Sequence, residues 1–258
     1  MKKPNIRTKK IVLALRRHAS TMGGWVKFTD KHRRFRSSAA NTFLLAVLLD
    51  RSIKAEKVQD AAEWMNKSLG EKNDPTVLWK NLLKLEKKRL LGFLRYGYRG
   101  KAFHRFYKTF ARQLQKVARH ILLGDYHGDL RRLWRGQRNI QDVREKMEKI
   151  PGIGLALSRI AILTLVRKYG LLGGKTALPQ LDIKPDIHVM RVFKRTGLIS
   201  KEAKERDAIK TARILYRKFP AVLDAPAWKI GREWCRPHNP SCRECPIRKE
   251  CPKIINAA

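Results

Sequence analysis

The sequence predicts an all-α protein, and two patterns carry that prediction. Apolar residues recur at three- and four-residue steps through Ile11 to Leu15, Phe43 to Val58, Val77 to Leu94, Phe103 to Leu123 and Leu155 to Val166, while alternating β-type runs are few. Between these segments stand the residues that end or kink helices: Pro75, Gly124, Gly152, Gly154, Gly170, Gly173, Gly174, Pro179 and Pro185. There is no internal repeat and no low-complexity tract. The longest uninterrupted apolar stretch, Phe43 to Leu49, is far too short to cross a bilayer, so a soluble protein with no membrane partner is expected.

The first element is prefaced by Met1-Lys-Lys-Pro-Asn-Ile-Arg-Thr-Lys-Lys, which reads as an organelle-targeting segment or as a phosphate-contacting arm leading into a helix, the arm being the preferred reading. Charge supports a polyanionic partner. Lysine and arginine total 59 against 22 acids, a formal net charge of +37, and the excess is densest from Lys2 to Arg36, where Asp30 is the only acid. Such a balance self-repels unless a polyanion compensates it, and it provides a broad electrostatic footprint with little sequence specificity. Charge alone would equally suit a ribosomal protein. Further along, Phe103, Phe106, Tyr107 and Phe110 stand at helical spacing, and core packing is their expected role. His104, Arg105, Lys108, Arg112 and Lys116 would form the solvated side of the same helix.

Two short motifs carry chemistry. Ile150-Pro151-Gly152-Ile153-Gly154 joins a polar helical stretch, Gln141 to Lys149, to an apolar helix from Leu155. Glycines at i and i+2 open backbone angles closed to other residues and leave no side chain in the way of a phosphate approaching the second helix N-terminus. A plain αα-hairpin has the same composition. The second motif is a set of four cysteines, Cys235, Cys242, Cys245 and Cys251, separated by six, two and five residues. Four thiolates in one short loop can surround a tetrahedral zinc or an iron-sulfur cluster. Disulfides are the weaker alternative: they would close only tiny loops, and the N-terminus has no secretory apolar core.

The segment Cys235-Arg-Pro-His-Asn-Pro-Ser-Cys242-Arg-Glu-Cys245-Pro-Ile-Arg-Lys-Glu-Cys251-Pro resembles the cluster loop of the endonuclease III family of DNA glycosylases. The glycine turn resembles that family's helix-hairpin-helix, and Lys184-Pro185-Asp186-Ile187-His188-Val189-Met190-Arg191-Val192 resembles its segment with an essential aspartate. The three occur in the family's order, from about Lys149 to Pro252, with a longer connection than expected from roughly Lys168 to Ile183. The resemblance implies a two-lobed, all-α helix-hairpin-helix DNA glycosylase fold with a C-terminal 4Fe-4S loop. The cluster would be held by the four cysteines in a structural role, with zinc the less favoured occupant. It further implies a monomer acting on double-stranded DNA. A cytoplasmic, nucleoid-associated location is expected, with organelle or nucleus left open.

The same resemblance makes Asp186 the expected catalytic carboxylate, and an aspartate there could also cap the following helix. Expected DNA contacts are Pro151, Gly152, Ile153 and Gly154 in the turn, Arg236, His238, Arg243, Arg248 and Lys249 in the cysteine loop, and Arg51, Ser52 and His188 elsewhere. His188 could as well make a structural hydrogen bond. Family members that also nick the strand carry a lysine two residues after the second hairpin glycine; here that residue is Ala156, which implies a monofunctional hydrolase. Alternatives are a lyase using Lys175 or Lys184, and a non-catalytic DNA-binding protein. The expected division is 1–36 as a basic segment packing with the cluster lobe, 37–170 as a helical core with the hairpin at 141–167, and 171–258 as the aspartate and cluster region.

Overall fold

The computed structural model describes residues 5–22, 37–50, 55–137 and 139–254; Arg51 and Ser52 lie outside the described residues. Among the described residues the regular structure is helical, with no strand. In chain order the helices are α1 (Ile6–Thr21), α2 (Ser37–Leu49), α3 (Ala55–Leu69), α4 (Thr76–Lys84), α5 (Lys87–Tyr96), α6 (Tyr107–Leu123), α7 (Ile140–Glu148), α8 (Leu155–Tyr169), α9 (Ile187–Arg195), α10 (Glu205–Leu215) and α11 (Asp224–Glu233). Short 3-10 turns occupy Leu130–Leu133, Gly174–Gln180 and Pro220–Leu223. Among the described residues no helix is long and apolar enough to cross a membrane.

Two of the periodic sequence segments each prove to be a pair of helices. Val77 to Leu94 is broken where Leu85 and Glu86 adopt extended ψ values of 125° and 144°, and the apolar pattern resumes in α5. Phe43 to Val58 is likewise divided between α2 and α3. Periodicity survives such breaks because both helices of each pair bury apolar faces in one core, so the spacing of apolar residues does not betray the interruption.

The chain divides into two compact units: Met1–His32 with Ile162–Ala258, and Arg33–Ala161. In the second unit α6 is central. Phe110, Ala111, Leu114, Val117, Ala118 and Ile121 form its buried face, against which α4 and α5 lie. α2 is almost wholly apolar and packs on α3, and its buried Asn41 accepts from Trp79 Nε1 (3.0 Å) and donates to the Pro75 carbonyl (2.9 Å). A buried amide placed this way ties α2 to α4 and leaves neither the indole N–H nor its own donor unsatisfied.

The unit containing both chain ends is built on α9, α11 and α1. α1 begins at an N-cap, Asn5, which accepts from Thr8 N at 2.8 Å, and it buries Ile11, Val12, Leu15 and Ala19 against α11 and the Pro220–Leu223 turn. Full burial of each larger side chain contributes about 1.5–3 kcal/mol of transfer free energy. α9 and α11 approach to backbone contact at Gly231, where a Cβ would stand 2.6 Å from the His188 carbonyl oxygen. Only glycine fits that crossing.

Candidate nucleic-acid interface, carboxylate and thiol cage

The hairpin lies between α7 and α8. Asn139 caps α7 by accepting from Gln141 N (2.9 Å), and the turn closes through Ile153 N–H donating to the Ile150 carbonyl (3.0 Å). Ile150 and Ile153 are buried, whereas Gly152 and Gly154 are exposed. Ile153, one of the expected contacts, therefore spends its side chain on the core and its amide on the turn. The surface of the motif is made by Pro151, the two glycines and the first turn of α8, whose leading amides have no intrahelical acceptor. The Glu148 carboxylate clamps the two helices by accepting from Ser158 Oγ (2.7 Å) and Arg159 (3.3 Å).

The two glycines differ in what they require. Gly152 has φ +86°, and a Cβ there would also meet the Gln113 side chain of α6 at 1.8 Å. Gly154 has no such constraint: a Cβ would meet nothing within 4 Å. Gly152→Ala is therefore expected to lower the melting temperature, with a cost of about 1–3 kcal/mol. Gly154→Ala should melt with the wild type; if its glycine is kept clear for a phosphate, duplex affinity should nonetheless fall about tenfold in an anisotropy titration. Equal affinity in Gly154→Ala would remove the turn from the interface.

Asp186 stands at the N-terminus of α9 with extended backbone (φ −81°, ψ 178°), and its Oδ1 accepts from His188 N (2.9 Å) and Val189 N (3.0 Å). The capping role that the sequence left open is thus present. Oδ2 accepts no hydrogen bond among the described residues, and the side chain is half-exposed. The approach to Asp186 is pinned at three points. The side chain of Asp182, fully buried, takes a bidentate pair from Arg213 (2.7 and 2.9 Å); Ala221 N donates to the Leu181 carbonyl (3.1 Å); and the buried carboxylate of Asp224 accepts from Lys184 N. Hydrogen bonding to Asp182 raises the Arg213 pKa above its ordinary value. His188 is half-buried, with Nδ1 shut from solvent and its ring edge-on to Trp228 at 6.3 Å. Lys175 lies exposed in the Gly174–Gln180 turn.

The four cysteines are unbridged and half-buried, and all four line one pocket with Val192, Ile230, Trp234 and Ile247. Burial pushes the Cys245 thiol up to about 11, with further upward contributions from the other three sulfurs, and Cys251 is raised for the same reasons. Four half-buried thiols lining one pocket fit a bound cationic centre, which would favour their thiolates. Among the described residues no three His, Cys, Asp or Glu side chains gather as ligands of a single ion would. Arg236, His238, Arg243, Arg248 and Lys249 are exposed around this loop; Arg236 donates to the Glu233 carbonyl (3.2 Å) and Arg248 to the Arg243 carbonyl (2.8 Å).

Two arginines that the sequence reading passed over attach this loop to α9. Arg191 donates to the Gly231 and Cys235 carbonyls (2.9 and 3.0 Å). Arg195 donates to the Arg236 and Pro237 carbonyls (2.6 and 2.9 Å) and approaches the Cys235 sulfur at 3.7 Å. Both are buried. Their signal in the sequence was an i, i+4 pair of arginines on the apolar side of an amphipathic helix.

Comparison with known proteins agrees with these features. No family model matches the chain. Endonuclease III of Thermotoga maritima is 24% identical over 145 residues, 56% of this chain and 57% of that protein, so the similarity spans little more than half of the relative. An endonuclease III in a non-covalent complex with DNA superposes with a TM-score of 0.63 at 19% identity, covering 95% of both chains. A trapped covalent endonuclease III–DNA intermediate gives 0.60 at 20% identity, covering 95% of this chain and 96% of that one. A thermostable thymine-DNA glycosylase gives 0.62 at 17% identity over 98% of each chain. Helix order and these likenesses show that the chain has the all-α fold of the endonuclease III and thymine-DNA glycosylase structures.

Proposed function

We propose that this protein is a DNA glycosylase of base excision repair that removes a damaged, mismatched or modified base flipped out of duplex DNA. One observation carries the reading: α9 carries the Asp186 carboxylate at its N-cap and, through Arg191 and Arg195, holds the cysteine loop further along. In this reading the hairpin and the loop grip phosphates while Asp186 serves the sugar. Fission of the N-glycosidic bond leaves the electron pair on the departing base and positive charge on the deoxyribose, which the ionised carboxylate stabilises. Water then bonds to C1′ and gives up its proton, for which the free Oδ2 of Asp186 is the acceptor. The product is an intact strand with an abasic site.

Ala156 supports hydrolysis over strand cleavage. The side chain at the second position of α8 has no amine to form a Schiff base, whereas one endonuclease III was trapped as a covalent intermediate with DNA. The cysteine pocket suits a 4Fe-4S cluster better than zinc. The six-, two- and five-residue spacing of its cysteines is that of the cluster loop the segment resembles, and all four share one pocket. When bound, the cluster would brace the loop. Cys235, Cys242, Cys245 and Cys251 would hold it, and the exposed basic residues around them would meet the backbone.

A panel of duplexes carrying single modified or mismatched bases tests the reading. Base release with strand breaks only after alkali is the expected result. Covalent trapping by borohydride would favour a lyase working through Lys175 or Lys184, and no release from any duplex would favour a non-catalytic binding protein. Purified anaerobically, the protein should be brown and contain about four irons per chain; stoichiometric zinc in a colourless sample would overturn the cluster assignment.

A further inference from the structure

Between Glu86 and Asp125 the chain has no acidic residue and eleven lysines and arginines. This stretch, α5 to α6 and the loop between them, also places aromatic rings on the surface. Tyr96 is 56% exposed and Phe106 59%. The stripe at 103–110 is thus only partly core: Phe103 and Phe110 are buried, while Phe106 precedes the first turn of α6 and faces outward. Each exposed ring has a guanidinium beside it. Arg95 lies 4.9 Å from the centre of Tyr96 and 5.8 Å from that of Tyr107, and Arg105 lies 4.7 Å from Phe106.

Phe106 lies beside a second group of rings, 6.1 Å from His104. His104 stacks on Phe110 at 4.5 Å and 15° and accepts from Phe106 N at 3.0 Å, fixing the backbone under the outer ring. Phe103 lies 5.0 Å from Phe93 and 5.6 Å from Tyr98. Arg99 is matched by Asp60 at 3.2 Å, but Arg95 and Arg105 form no ion pair among the described residues. Scattered exposed apolar residues need no explanation. Rigid rings, each flanked by an arginine and set in an acid-free stretch, have the composition of a stacking platform for bases beside a charged track for phosphates.

We infer that the Tyr96–Phe106–Tyr107 face, with Arg95 and Arg105, is a binding surface for a run of unpaired nucleotides. It stacks bases that a duplex keeps paired and hidden, and so would direct this protein to DNA with a gap, flap or unwound stretch. The inference goes beyond the glycosylase reading and does not depend on Asp186.

The test compares full-length protein binding to fluorescein-labelled oligodeoxythymidylate, oligouridylate and an abasic oligodeoxynucleotide of equal length, at high salt to suppress the charge contribution. All three carry the same backbone charge. Expected is at least ~10-fold tighter binding of a base-bearing strand than of the abasic one, with the dT-to-U ratio reporting the combined effect of sugar and thymine methyl. Tyr96→Ala with Phe106→Ala should erase that preference, while duplex affinity and melting temperature stay unchanged, because both side chains are largely exposed. Phe106→Trp should keep it and Phe106→Leu should not. No preference for bases in the wild type, an unaltered preference in the double variant, or a parallel loss of duplex binding would overturn the inference, the last by revealing a general electrostatic surface.

Discussion

Asp186→Asn is expected to lose base release by about 10²- to 10⁴-fold, the range for removing a positioned general base, while binding the same duplex within about threefold of wild type. Asparagine isolates the charge from the fold. Its side-chain oxygen can still accept from His188 N and Val189 N, and asparagine caps helices about as well as aspartate. The melting temperature should hold. Asp186→Ala, by contrast, should lose about 1 kcal/mol of stability with the cap, confounding any activity measurement. Single-turnover excision on the best duplex of the panel, alongside anisotropy, separates the effects. An asparagine variant that still releases base would remove the catalytic assignment, and one that loses affinity in proportion would make the carboxylate a binding group.

Arg195→Leu should strongly weaken the anchoring of the cysteine loop to α9. The guanidinium is 4% exposed and donates to two loop carbonyls, Arg236 O and Pro237 O. Hydrogen bonds from a charged donor are each worth about 1.5–3 kcal/mol, and both carbonyls would lose that donor. A loss of about 3 kcal/mol, or roughly 6–12 °C in melting temperature for a chain of this size, is therefore expected. Iron per chain should fall in the same variant if the loop holds a cluster, because the Cys235 sulfur loses its neighbour at 3.7 Å. Arg195→Lys tests geometry against charge: a lysine cannot span both carbonyls with a fork of donors. Wild-type melting in Arg195→Leu would show that the loop holds its shape without this residue.

The sequence made some of this architecture legible and concealed the rest for identifiable reasons. The cysteines could be grouped because their spacing allows one loop, and the hairpin because glycine and proline interrupt two opposite hydropathy patterns. α6 was visible in its stripe, with Phe110, Leu114, Val117 and Ile121 buried. α10 and α11 were not: they are short, and α11 owes its place to Gly231, Ala227 and Ile230 against α9, a tertiary packing that local periodicity does not reveal. Arg191 and Arg195 went unassigned because sequence does not show that carbonyls of a distant loop await them. Asp224 was hidden in the same way, forty residues from the Lys184 amide it holds. Phe106 misled in the other direction, since helical spacing was counted through a residue that lies before the helix begins.

The pairing of α1 with α11 sets an order for biosynthesis. Ile11, Val12 and Leu15 are synthesised about two hundred residues ahead of the helix that shields them. Arg33–Ala161 has its own core and can fold as soon as it emerges. α1 must wait with its greasy stripe uncovered until α11 emerges, and deleting α1 would in turn leave α11 without its cover.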